Sequence, residues 1–247
     1  MRIESILLLV TSLTASAYAG EEWPAVGALK VGKTFKYPIL GIPGAEVRPT
    51  QAAFGARALE EKVKGMAKLS KDELKDALEH DPIPVVSAPD GRLYMIDHHH
   101  QALAAIDPRV GRKNAFFFLH TDLSKAPGGM DEFWAELKRR HWVREFDHLG
   151  RPIKIPRGLP TTIFGMLDDP FRSLAWFVRK MGGYRKSNVE YAEFLWADFF
   201  RPRVDLGKTD ADFLEATKKS EKMAHFPEAN TLPGWDAKTV NCNSHLH

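Results

Sequence analysis

Cysteine is almost missing from this chain: of 247 residues, one is a cysteine, Cys242. A disulfide framework is therefore excluded. No disulfide partner is required, and stability must rest on a hydrophobic core, which a chain of this length can build. The neighbours Asn241, Asn243 and Ser244 offer no base to activate the thiol, so a free thiol or an intermolecular bridge is the plainer reading of Cys242. An excess of one charge is also missing. Lys+Arg is 35 and Asp+Glu is 32, a net charge of +3, which speaks against a DNA-packaging surface while leaving room for a local basic groove. Long apolar runs are scarce too, and none after the first twenty residues could cross a bilayer. Hydrophobic residues at 44% and charged residues at 27% give the balance of a folded globular protein. That excludes a disordered, collagen-like or multi-pass membrane chain. There is no internal repeat and no low-complexity segment.

Residues 1–19 read as a secretory signal peptide. Arg2 is the positive start, residues 6–13 are an apolar run too short to span a membrane, and Ala17-Tyr18-Ala19 is a small-x-small cleavage site. Glu4 departs from that pattern. A periplasmic or secreted location is expected, and low cysteine content fits it. The remainder divides into an α/β part over 20–125 and a helical region over 126–247.

The α/β part starts with short strands at Lys33–Ile39 and Ala45–Arg48. Thr50 is placed to cap a helix beginning at Gln51, with Phe54, Ala58, Val63 and Ala67 inside and Glu60, Glu61, Lys62 and Lys64 outside. Ser70-Lys71-Asp72-Glu73 is a capping box and predicts a second helix. Ile83–Val86 and Leu93–Ile96 form a hairpin across the turn Pro89-Asp90-Gly91. Asp97 stands where a helix N-cap belongs, ahead of a short helix ending at Asp107-Pro108. Ala115–Leu119 is a continuous apolar run, the pattern of a strand buried on both faces. Further helices are predicted over Asp131–Trp142, after the cap Asp169-Pro170, after a second capping box at Ser187–Glu190, and over Asp210–Met223.

The chemistry concentrates at Asp97-His98-His99-His100-Gln101. A strand leads into an acid, three imidazoles and a helix. Unpaired N–H groups in the first helical turn, with the helix dipole, favour an anion there. Histidines add donors and a proton switch near neutral pH. Asp97 can accept a proton, orient a histidine or bind a divalent metal. Successive helical residues point ~100° apart, so two of the three rings are expected to face the site. The i, i+4 spacing of a helical zinc site is absent.

This pattern resembles the ParB/sulfiredoxin superfamily, and most closely its ParB-like nuclease branch. Val47-Arg48-Pro49-Thr50-Gln51 is similar to that branch's entry motif. Ile83-Pro84-Val85-Val86 with Asp90-Gly91 matches the strand and turn before the signature. The blocks from Asp169 to Ala175 and from Glu193 to Arg201 look like two further segments of it, so the likeness covers about 45–205. The resemblance implies an α+β fold: a small mixed sheet with helices, followed by a helical C-terminal part packed on it. It also implies a nucleotide or phosphate pocket at the helix start. Related free-serine kinases carry Asp-Gly-His-His-Arg there. Asp97, His99 and His100 match the acid and the two histidines, while His98 replaces the glycine and Gln101 the arginine. Replacing that arginine trades a bidentate charged donor for a neutral one. Glu46 is the nearest match to the kinase glutamate.

Asp97, His99 and His100 are thus the candidate catalytic residues, and Arg48, Gln51, His98 and Gln101 the candidate phosphate contacts. Asp168, Asp169 and Asp198 are weaker candidates as metal carboxylates, and Asp169 doubles as a helix cap. Lys138-Arg139-Arg140-His141 is a basic run beside Trp142, read as a solvated helix face. The expected partner is a nucleotide, a nucleic acid or another phosphate-bearing ligand. Three activities fit: a phosphodiester or nucleotide hydrolase, a binding module without turnover, and a phosphotransferase. Export favours hydrolysis over phosphotransfer, because free ATP is scarce outside the cytoplasm.

Overall fold

The computed structural model describes residues 22–237; the signal-peptide segment 1–19, Cys242, His245 and His247 lie outside them. Strands β1 (Thr34–Pro38), β2 (Gly41–Ile42), β3 (Ala45–Pro49) and β4 (Ala53–Phe54) precede helices α1 (Ala56–Ala67) and α2 (Lys71–His80). The hairpin β5 (Ile83–Ser87) and β6 (Leu93–Met95) leads into α3 (His99–Ile106) and the long strand β7 (Asn114–Asp122). The rest is α4 (Gly129–Arg139), β8 (Leu167–Asp168), α5 (Pro170–Lys180), α6 (Ala192–Phe200) and α7 (Asp210–Met223).

Six strands form one mixed sheet in the order β1-β7-β5-β6-β3-β2, and β4 pairs with β8 in a small second sheet. Within the large sheet β5 runs parallel to β7 and β3 parallel to β6, while β5 and β6 are antiparallel. Period-2 alternation sorts the side chains of this sheet between two cores. Val47, Val85, Leu93, Met95 and Phe117 meet α1, α2 and α3 on one face. Val86, Tyr94 and Ile96 meet Phe133, Trp134 and Leu137 of α4 on the other. A third core joins α5, α6 and α7 around Trp196 and Phe200. The fold is α+β, a small mixed sheet with helices and a helical part packed on it. No helix among the described residues is long and apolar enough to cross a membrane.

Local signals worked where the capping atoms are near in sequence. Ser70 and Glu73 form their reciprocal capping box. Asp169 accepts from the N–H groups of Phe171 and Arg172, with Pro170 in the first turn. Four expectations give way to tertiary contacts. The helix expected from Gln51 begins at Ala56, because residues 53–54 are held extended against Leu167–Asp168. Asp97 is not the cap of α3; His98 holds that position. The box at Ser187–Glu190 does not form, since Ser187 Oγ accepts from Val189 N–H and α6 starts after Tyr191. In β7 Ala115, Phe117 and Leu119 are buried but Phe116 and Phe118 only half-buried, because α4 covers the β5–β6 part of that face and leaves β7 less covered.

Candidate functional site

Two parallel strands, β3 and β6, end side by side at Pro49 and Met95. Each feeds a turn and then a helix. The carboxyl edge of parallel strands is where ligands commonly bind in α/β sheets. Thr50 ties the two strand ends together. Its hydroxyl donates to the Met95 carbonyl at 2.7 Å, and its N–H donates to His99 Nε2 at 3.2 Å. Its carbonyl accepts from Arg144 N–H at 2.9 Å. With its own proton committed, the Thr50 oxygen receives the Tyr191 hydroxyl at 3.3 Å.

The three histidines have three different surroundings. His98 sits at φ 61°, a left-handed conformation that costs a non-glycine residue about 1 kcal/mol or more. Asp97 relieves part of that cost by accepting His98 N–H at 2.6 Å, while its side chain stays 76% exposed. His98 Nε2 lies 3.8 Å from Asp81 Oδ1 and 3.9 Å from Asp97 Oδ2, and its Nδ1 is buried with no hydrogen-bond partner among the described residues. His99 is 2% exposed. His100 Nε2 accepts the N–H of Gly55 at 3.0 Å. Both Nε2 atoms accept backbone protons, so each ring carries its own proton on Nδ1. Burial, aided by His98, pushes His99 down to about 3. Burial also holds His100 well below the ordinary range, with Arg172, His99 and Lys62 adding to it. These two rings stay neutral near pH 7 rather than switching there, which corrects the proton switch expected of them.

The N-terminus of α1 is closed by groups from far away in sequence. Gly55 N–H goes to His100, and Ala56 N–H to Asp168 Oδ1 at 2.7 Å. Arg57 and Ala58 N–H both go to Ser173 Oγ, at 3.1 and 3.3 Å. Only glycine fits at position 55, where a Cβ would stand 2.7 Å from Ser173 N. The N-terminus of α3 is different. The N–H groups of His99 and His100 make no hydrogen bond to any described residue.

The other candidates are placed as follows. Gln51 spends its amide on the Ala53 carbonyl at 2.6 Å, and Gln101 on the Asp81 carbonyl at 2.5 Å. Arg48 lies level with Tyr94 across the β3–β6 pairing. Its guanidinium hydrogen-bonds none of the histidines, and its Nε is buried without a partner among the described residues. Glu46 holds Arg92 at 2.6 Å. Asp168 caps α1, Asp169 pairs with Arg201 at 2.7 Å, and Asp198 pairs with Arg144 at 2.9 Å. Those carboxylates are thereby committed to caps and arginines. Among the described residues no three His, Cys, Asp or Glu side chains gather as a metal site. In the basic run, Lys138 pairs with Glu145, and Arg139 and Arg140 with Glu136.

Two cations escaped the sequence reading. Lys62, expected outside α1, is partly buried, and Asp81 and Asp97 are the acids whose charges it feels. Burial lowers its ammonium below the ordinary range. The available signal was spacing: Ala58, Lys62 and Met66 share one helical stripe. Arg172, in the first turn of α5, is 12% exposed and feels Glu193 at 3.6 Å. Burial alone would raise Glu193, but Arg172 and Arg179 hold it below the usual carboxylate range.

A family model described as "Putative ParB-like nuclease" matches residues 41–202. The crystal structure of protein Atu1540 from Agrobacterium tumefaciens is similar, with a TM-score of 0.70 and 33% sequence identity. The match covers 83% of this chain and 99% of that one. No curated protein matches. With the matched segment running from β2 past α6, through both strand-to-helix turns, the chain belongs to the ParB-like nuclease family.

Proposed function

We propose that this protein is a phosphodiester or nucleotide hydrolase whose substrate phosphate sits at the N-terminus of α3. The observation that carries this is the open pair of N–H groups at His99 and His100, beside Asp97, while the neighbouring α1 terminus is fully capped. An anion there gains from free donors and from the helix dipole, an effect of roughly 0.3–2 kcal/mol. The Nδ1–H groups of His99 and His100 supply neutral donors to the same anion. Their Nε2 atoms hold the turn in place. Asp97, exposed at the surface with Oδ1 bound to His98 N–H, takes a proton from the attacking water through its other oxygen. The water oxygen bonds to phosphorus, the ester P–O bond breaks, and the leaving oxygen takes a proton from His98 or solvent. Arg48, Gln51 and Gln101 shape the pocket walls in this scheme.

The test is turnover. Purified protein is incubated with plasmid DNA, RNA, bis-p-nitrophenyl phosphate and nucleotides, with and without Mg²⁺, Mn²⁺ or Zn²⁺. Hydrolysis that falls at least tenfold in Asp97→Ala supports the assignment. Hydrolysis unchanged in Asp97→Ala removes Asp97 from the mechanism, and binding without any turnover replaces hydrolysis with a binding module. One observation favours that second reading: His99 and His100 are locked as acceptors and do not titrate near neutral pH.

Export to the periplasm or medium is proposed from residues 1–19 alone. N-terminal sequencing of the mature protein, expected to begin at Gly20, checks it.

A further inference from the structure

The α3 terminus offers an anion dipoles and neutral donors, but His99 and His100 in its first turn bring no positive charge near pH 7. The charge comes from elsewhere in the fold. Gly55 donates its N–H to His100, and a Cβ on Gly55 would stand 3.1 Å from the Arg172 carbonyl carbon. That places the backbone of Arg172 one residue's width from the His100 contact. The guanidinium turns inward: Nε and Nη1 are buried without hydrogen-bond partners among the described residues, and its nearest acid oxygen, on Glu193, is 3.6 Å away. Lys62 lies on α1, which packs against α3. It is partly buried, and no described carboxylate lies within ion-pair distance of its ammonium. Both cations act on the His100 ring.

Glu193 and the Phe194 ring answer part of the Arg172 charge, yet its Nε and Nη1 stay without acceptors among the described residues, and such buried donors are costly unless something anionic completes them. Resting on the phosphate site proposed above, we propose that Lys62 and Arg172 form a cation pair that grips the phosphate oxygens beside His100. A lysine point charge and a guanidinium fork are the usual donors to such oxygens. Arg172 belongs to α5, so the helical part is then a wall of the site and not merely a cover for the sheet.

Direct binding separates this from catalysis. The full chain is titrated with inorganic phosphate and with pyrophosphate by calorimetry. The variants are Lys62→Met, Arg172→Gln and Arg172→Lys, with Lys75→Met on the exposed face of α2 as control. Loss of one charge-assisted contact is expected to weaken binding by roughly tenfold or more. Arg172→Lys should recover part of that loss, and the control should bind as the parent does. Melting curves show whether Arg172→Gln is folded; Lys62→Met, on a partly exposed stem, keeps the test decisive if it is not. Equal affinity in the parent and in folded Lys62→Met and Arg172→Gln overturns the cation pair and leaves the α3 site standing. A parent that binds neither anion overturns both. Weakened binding in the variants of a protein that hydrolyses nothing upholds the pair and removes the hydrolase.

Discussion

Two strand-to-helix turns leave the same edge of the sheet and meet opposite fates. The β3–α1 turn is sealed: His100, Asp168 and Ser173 take its N–H groups in turn. The β6–α3 turn keeps two N–H groups without a partner among the described residues and presents an exposed carboxylate. The polar groups of the open turn are themselves used to seal the closed one, since His99 binds Thr50 and His100 binds Gly55. Order at one helix start therefore prepares the other. A rigid, preorganised turn holds its donors at fixed positions, which is what anion recognition needs.

Breaking the closed turn should cost most. Gly55→Ala drives a methyl group to 2.7 Å from Ser173 N and Oγ, and overpacking against backbone costs about 1–3 kcal/mol or more. Urea unfolding is expected to show that loss, together with weaker phosphate binding. Acid should act through the same contacts. His99 titrates at about 3 when folded but near 6.5 when unfolded. The folded pKa is depressed, so the unfolded chain binds more protons. For His99 the stabilisation is whole above about 6.5 and is lost progressively as pH falls toward 3. A His99→Gln variant, less stable at pH 7, should show a shallower decline over that window in pH-dependent unfolding. Ser173→Ala leaves two α1 N–H groups without an acceptor and is expected to cost about 0.5–2 kcal/mol, read by the urea midpoint. The open turn should answer in the reverse sense. Asp97→Ala removes an exposed carboxylate whose hydrogen bond to His98 N–H supports the left-handed turn, so the melting temperature should fall by no more than about 4 °C, while under the proposed mechanism hydrolysis falls at least tenfold.

Much of the fold was legible because its causes are local. The capping box at Ser70 and the Asp169-Pro170 start were readable from adjacent residues, as was the hairpin around Asp90-Gly91. The start of α1 was not readable. Thr50 looks like a cap, but its hydroxyl is drawn to Met95, 45 residues away, and the true cap atoms come from Asp168 and Ser173. The Asp-His-His-His turn was visible as a place, and its similarity to the ParB-like nuclease family was visible with it. What each ring does was hidden, because a histidine's protonation depends on burial and on the atom facing Nε2. Lys62 was misplaced for a related reason: a charged residue on an amphipathic helix is assigned to solvent by default, and here the same stripe turns toward Asp81 and Asp97.

By itself, the order of residues settled most element types, the α+β class, the family and the segment where polar groups gather, since periodicity and near-neighbour hydrogen bonding act over a few residues. Only the packed chain decided which helix start is shut, which imidazoles are acceptors and which cations stand beside them. Those outcomes depend on desolvation and on contacts between residues dozens to more than a hundred positions apart, quantities that no local stretch of sequence contains.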